Sequence, residues 1–141
     1  MNNISMARSY IRQAEERLKH AKEAFEDGNY PYTIRECQEA VELSLKAALR
    51  IVGIEPPKIH DVGPLLRKNS HLFPDWFKQN INRMATISRT LRREREVSMY
   101  GDEELSLTPE EIYCEDDAKN ALLDCEFVLQ NCKKLLDSVL K

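Results

Sequence analysis

Helix breakers are scarce in this chain: four glycines and six prolines occur among 141 residues. Long uninterrupted helices are therefore open to it. No segment alternates apolar and polar residues at a period of two between turn signals, which argues against a sheet. No apolar run reaches the roughly 18 residues of a membrane span. The first residues, Met1-Asn2-Asn3-Ile4-Ser5, lack the apolar core of a signal peptide. The expectation is a cytoplasmic protein with no membrane partner. The net charge of −3 is too small to favour one class of ligand. Internal repeats and low-complexity tracts are missing as well.

The cysteines make no metal-binding pattern. Cys37, Cys114, Cys125 and Cys132 contain no Cys-x-x-Cys pair, and no histidine stands at zinc-finger spacing. They read as reduced thiols acting as small hydrophobes. No metal and no cofactor is expected. What is present is ordinary for one soluble domain, with 42% hydrophobic and 32% charged residues. At this length roughly two thirds of the unfolded surface can be buried, so the core needs no covalent staples.

Apolar residues recur at alternating steps of three and four. Ala7, Ile11, Ala14, Leu18, Ala21 and Phe25 mark a first helix over about residues 5–27. Asp27-Gly28-Asn29 stops it, with glycine in the C-terminal role. Pro31 suits the first turn of a second helix, which runs to about Val52 and is closed by Gly53. Its inner face is Ile34, Cys37, Val41, Leu45, Ala48 and Val52, and Ala40 and Ala47 are small enough to admit a close neighbour. These two helices should pack as an antiparallel hairpin. Glu55-Pro56-Pro57-Lys58 is an extended linker. Asp61 is a natural N-cap for a short helix through Leu65 and Leu66, and His60 reads as a polar lid beside it. A further helix starts at Pro74 and continues to about Val97, with Trp76, Phe77, Ile81, Met84, Ile87, Ser88 and Leu91 inward. Residues 101–107 form a loop. Thr108-Pro109-Glu110-Glu111 is a strong helix start, and the last helix then runs to the C-terminus. Its stripe is Ala118, Ala121, Leu122, Cys125, Val128, Leu129, Cys132, Leu135, Leu136 and Val139. The fold class expected is all-α, an up-and-down bundle of four long helices plus a short helix, in one domain over residues 1–141.

Charge is unevenly placed. Between Lys78 and Glu96, six basic residues (Lys78, Arg83, Arg89, Arg92, Arg93 and Arg95) face only Glu94 and Glu96. Residues 102–117 carry eight acidic groups and no basic one. Two readings stay open. One is a solvated helix face followed by an acidic helix start, where carboxylates suit the dipole. The other is a surface for phosphate groups, since arginine forks bind phosphate bidentately. Few aromatics are interleaved, which argues against a base-stacking platform of the single-strand-binding type. On the second helix, Gln38, Glu42 and Lys46 stand one above another, and Glu42→Lys46 is the favourable order for an i,i+4 pair. That strip reads either as an ordinary surface pair or as a polar strip beside Arg95.

Several of these segments together resemble one family. Residues 36–47 are similar to the second-helix pattern of HEPN-domain proteins, in which Gln, Glu and Lys recur every four residues. Residues 53–61, ending in His60-Asp61, resemble the linker that follows. Arg95-Glu96-Val97-Ser98-Met99-Tyr100-Gly101 falls where the family carries its Arg-x4-6-His nuclease signature. The resemblance covers nearly the whole chain, within the small single-domain prokaryotic group. It implies four long helices and a symmetric homodimer, with two signatures meeting across the interface to cleave RNA without metal.

Arg95 matches the arginine, and Tyr100 stands at the histidine position. Glu96 stands where the family has Asn, Asp or His. A phenol with a pKa near 10 is a poor general base at neutral pH, although it can donate a hydrogen bond or position a phosphate. Arg67 and His71 are one residue too close to match the pattern and read as the polar ends of a short helix. The resemblance implies a subunit of a toxin–antitoxin-type pair with a minimal nucleotidyltransferase. In some such pairs the transferase adds AMP to a tyrosine two residues beyond the histidine; that position is Asp102 here, which leaves Tyr100 as a substitute acceptor. The expected nucleotide- or RNA-binding residues are Arg92, Arg93, Arg95, Lys46 and Glu42, and the expected catalytic pair is Arg95 with Tyr100. A metal-independent ribonuclease with an Arg-x4-Tyr site and a non-enzymatic helical adaptor are the alternative functions.

Overall fold

Asn2 starts the chain's first helix, because its side-chain oxygen accepts from the backbone N–H groups of Ile4 (3.0 Å) and Ser5 (3.1 Å). The computed structural model describes residues 2–58 and 61–140. Helix α1 (Asn3–Glu26) and α2 (Tyr30–Ile51) form the expected hairpin, which carries the most extensive helix pairing in the fold. Gly28 turns between them at φ +77°, and Asn29 caps α2 through Tyr32 N (3.4 Å). The α1 side is lined by alanines: Ala7, Ala14, Ala21 and Ala24 are buried, as are Ala40, Ala47 and Ala48 of α2. Small side chains let the two backbones approach closely.

Helix α2 is the centre of the bundle, packed against α1, against α5 (Ile81–Tyr100) and against α7 (Glu115–Val139). It therefore buries more than the stripe read from its apolar residues. Thr33, Glu36, Gln38, Ser44 and Arg50 are buried with it. Short α3 (Gly63–Lys68) lies on α5. Its contact is close enough that a Cβ on Gly63 would sit 3.0 Å from Ala85 Cβ. Asp61 does not occupy the residue just before α3, which is Val62. It still serves the helix start, accepting from Gly63 N (3.1 Å), and it takes Ser88 Oγ of α5 at 3.0 Å. His60 lies outside the described residues.

Two expected helices are each divided. The segment after Pro74 is a turn of helix, α4 (Asp75–Lys78), and then α5. Asn80 makes the break: its side-chain amide donates to Trp76 O (3.1 Å) and to Asn131 of α7 (3.2 Å), in competition with the backbone. The last segment is α6 (Pro109–Ile112) followed by α7. Thr108 and Glu111 make the expected capping box. Asp117 then accepts from Cys114 N (3.0 Å), and a second helix start follows at Glu115. The extended Tyr113 between them turns inward and donates its hydroxyl to Glu94 of α5.

The core joins Phe77, Leu45, Leu49, Leu66 and Met84, all fully buried, with Phe73 stacked on Phe77 at 4.6 Å. Cys37, Cys125 and Cys132 are buried in it, whereas Cys114 is exposed. Four long helices, one short one and single turns make an all-α bundle, with no strand among the described residues. No helix among them is long and apolar enough to cross a membrane.

Candidate functional site

Helix α5 carries the arginines and ends the site. Each residue advances about 100° around a helix, so positions three, four or seven apart share a face. Arg89, Arg93, Glu96 and Tyr100 follow that spacing and are exposed. Tyr100, 64% exposed, is the last helical residue. Arg95 is exposed too, but it lies about 140° from Tyr100 around the axis. Its neighbours one turn on are Ser98 and Met99.

The chain leaves α5 through Gly101 at φ +77°, which donates its N–H to Val97 O (2.8 Å). Two hydrogen bonds then pin the loop, Asp102 N to Leu107 O (2.9 Å) and Leu107 N to Asp102 O (3.0 Å). A Cβ on Gly101 would collide with that Leu107 carbonyl oxygen. Glycine is therefore required twice, for its backbone angle and for room. The turn holds Tyr100 next to a loop containing Asp102, Glu103, Glu104 and the exposed Leu105.

Between α2 and α5 the polar strip is built across helices rather than along one. Arg92 donates to Glu42 at 2.9 Å, with both side chains partly exposed. Lys46 turns to the Lys58 carbonyl at 3.3 Å. The expected Glu42→Lys46 pair is replaced by these two contacts, because an aligned guanidinium on the facing helix is a better partner than a flexible ammonium one turn along. Gln38, one turn below Glu42, is buried, and its side-chain oxygen lacks a hydrogen-bond partner.

The sequence reading missed a further cluster. An open cleft of about 620 Å³ lies where α1, the start of α2, the end of α5 and Pro109-Glu110 meet. Arg17 enters it from α1; Tyr32, Arg35, Glu36 and Glu39 come from α2; Ser98 and Met99 come from α5. Glu36 is only 6% exposed. Burial raises the pKa of its carboxyl, and the charge of Glu39 adds to this, while the Tyr32 hydroxyl and Arg17 oppose it. The Tyr32 phenol is raised in turn, chiefly by the Glu36 charge. Arg17 Nε stands 3.5 Å from Glu39 and 4.0 Å from Glu36. Tyr32, Glu36 and Glu39 fall on one face of α2 at steps of four and three. That spacing was readable, but the arginine opposite them comes from another helix and has no sequence signature.

Of the expected residues, Arg92, Glu42 and Lys46 gather on the α2–α5 side, and Arg93 and Tyr100 share the exposed face. By helical register Arg95 falls on the same side of α5 as Ser98 and Met99, which line the cleft. No group of three or more His, Cys, Asp or Glu among the described residues could hold a metal.

Comparisons with known proteins agree with this architecture. The family model for the HEPN domain matches residues 7–135. The chain belongs to the HEPN domain family. It is 29% identical over 139 residues to a Methanocaldococcus jannaschii protein named "Putative toxin MJ1304", covering 95% of this chain and 90% of that protein. The crystal structure of TT1696 from Thermus thermophilus shares its fold at a TM-score of 0.73 and 21% identity, covering 96% of this chain and 99% of that one. ST0689, an archaeal HEPN homologue, matches at a TM-score of 0.65 and 26% identity, over 92% of this chain and 97% of its own.

Proposed function

For this HEPN-domain chain, we propose a role as the helical subunit of a toxin–antitoxin-type pair, one that binds RNA or nucleotide phosphates through the arginine face of α5 and works as a homodimer. The observation that carries the reading is the exposed row of Arg89, Arg93 and Tyr100 from the middle of α5 to its end, interrupted by one carboxylate, Glu96, with Arg95 exposed beside it. Guanidinium forks on a rigid helix are suited to phosphate oxygens. The similarity to a protein named as a toxin supports the toxin side of the reading. The partner in this reading is a minimal nucleotidyltransferase. Tyr100 is its acceptor: the phenol oxygen bonds to the α-phosphorus of ATP, the bond to the β-phosphate breaks, pyrophosphate leaves, and the phenol proton passes to solvent.

The test is binding of a short single-stranded RNA to the purified chain at rising salt. Each phosphate contact should contribute about −0.7 to the slope of log K against log salt, and the R89A/R93A variant should flatten that slope by about 1.4. No binding at low salt would remove the phosphate reading and favour a helical adaptor. A mass increase of one AMP on Tyr100, after incubation with the partner and ATP, tests the acceptor.

A metal-independent ribonuclease is the second reading, favoured by Arg95 and Tyr100 both being exposed at one helix end. Since these groups diverge around the axis, Arg95 of one copy would serve with Tyr100 of the other. Arginine would stabilise the phosphorane charge. RNA left intact with and without EDTA, by wild type and Arg95→Ala alike, would eliminate it.

A further inference from the structure

The cleft of Arg17, Tyr32, Glu36 and Glu39 has no part in the phosphate reading above, yet its chemistry is incomplete. Glu36 Oε2 is buried and has no hydrogen-bond partner, and neither has Arg17 Nε. The two are 4.0 Å apart, beyond hydrogen-bond reach. A buried carboxylate oxygen without a donor is costly, and native structures nearly always satisfy such groups. The cleft is open, about 620 Å³, and Glu36 lines it. Its walls include two partly apolar surfaces, Tyr32 at 43% exposure and Met99 at 39%. Its charges are mixed, with Arg17 and Arg35 beside Glu36, Glu39 and Glu110. A simple anion or a simple cation matches only half of that set.

A ligand carrying both an anionic group and a row of N–H donors matches all of it. We propose that this cleft is a nucleobase subsite, in which Glu36 and Glu39 read the N1–H and 2-amino donors of a guanine. The inference rests on the phosphate-binding reading for its ligand class and extends it from backbone to base. Guanine places two donors side by side, the arrangement one carboxylate accepts from. Adenine and cytosine set an acceptor beside their single amino donor, and uracil sets acceptors on both sides of its N–H. The ring has Tyr32 and Met99 to lie against. The phosphate has Arg17 and Arg35 within the cleft, and Arg95 one helical turn from Ser98 and Met99.

The experiment titrates the full chain with GMP, IMP, AMP and UMP, read by calorimetry and amide chemical shifts. IMP keeps the N1–H and lacks the 2-amino group. GMP should bind about tenfold or more tightly than IMP. Glu36→Gln should abolish that preference, and Tyr32→Ala should weaken all the nucleotides together. Circular dichroism confirms that both variants fold. Equal binding of GMP and IMP, no binding of any nucleotide, or a preference that survives Glu36→Gln would overturn the proposal. RNA oligonucleotides with guanosine or inosine at one position separate the two sources of the base. Discrimination in the oligonucleotide assigns the site to RNA, and discrimination only among mononucleotides assigns it to a free nucleotide. Salt-dependent RNA binding without any guanine preference would sink the subsite and leave the arginine face standing. Guanine-selective GMP binding without RNA affinity would do the reverse.

Discussion

Replacing Gly101 by alanine tests how firmly the end of α5 is held. The residue sits at φ +77°, ψ −160°, a region nearly reserved for glycine, where a side chain costs about 1–3 kcal/mol. The added Cβ would also collide with Leu107 O, while the Pro109 ring lies 3.1 Å away. The loop can relieve the collision only by giving up the two hydrogen bonds between Asp102 and Leu107. At about 0.5–1.5 kcal/mol each, those bonds make the cost of opening about 1–3 kcal/mol. The chain takes whichever route costs less, so the expected loss is about 1–3 kcal/mol, or roughly 3–10 °C in Tm. Gly28 is the internal control. It has the same φ of +77°, but no atom lies within 4 Å of its Cβ position, so Gly28→Ala carries backbone strain alone. Urea and thermal melts of both variants measure the difference. Amide exchange at Leu107, whose N–H donates to Asp102 O, locates it. If Gly101→Ala is no more destabilising than Gly28→Ala, or Leu107 stays as protected as in wild type, the account of this turn is wrong.

Glu36 gives a pH signature. Its carboxyl titrates higher in the folded chain than in the unfolded one, mainly because of burial. Ionisation therefore costs the folded state stability: the cost is absent below the ordinary glutamate pKa, complete above the raised one, and grows as pH rises between them. Glu36→Gln lacks this cost, so its stability relative to wild type should improve as pH rises above the ordinary glutamate pKa in urea melts, and a flat difference would refute the burial argument. Phe77 is fully buried against Phe73 and Trp76. Phe77→Ala should lose about 3–5 kcal/mol, and a loss under 1 kcal/mol would show that the core can collapse into the gap.

The long helices were legible because each buries one stripe, and a stripe has a period. Ile11, Val41, Met84 and Val128 are inside as their spacing requires. The breaks in them were not legible. At Asn80 the decisive partner is Asn131, fifty-one residues away, and at Tyr113 it is Glu94 on another helix. Local propensity carries no trace of either contact. The same limit governed the polar strip. Glu42 and Lys46 satisfy a rule about one helix, but α2 is packed on several sides, and Arg92 from α5 takes Glu42 instead. The buried Glu36 disrupts the apolar pattern of α2, which is why that helix read as one-sided. The disruption was itself the signal, since a glutamate among inward positions needs either a partner or a ligand.

The register of α5 also constrains any chemistry at its end. Tyr100 stands five positions after Arg95, which turns their directions about 140° apart. Tyr100 shares the exposed face with Arg89 and Arg93, and the register of α5 puts Arg95 on the side of Ser98 and Met99. A single chain therefore offers these groups to two different neighbours. A reaction needing both requires a second copy to bring its Tyr100 to this Arg95, whereas base recognition in the cleft with Arg95 on the phosphate needs one copy only. The two uses respond differently to dilution. Guanine-selective binding should persist at protein concentrations where the chain is monomeric, and RNA cleavage by an Arg95–Tyr100 pair should fall with the square of concentration below the dimer dissociation constant. A cleavage rate strictly proportional to concentration throughout that range would rule out the shared pair.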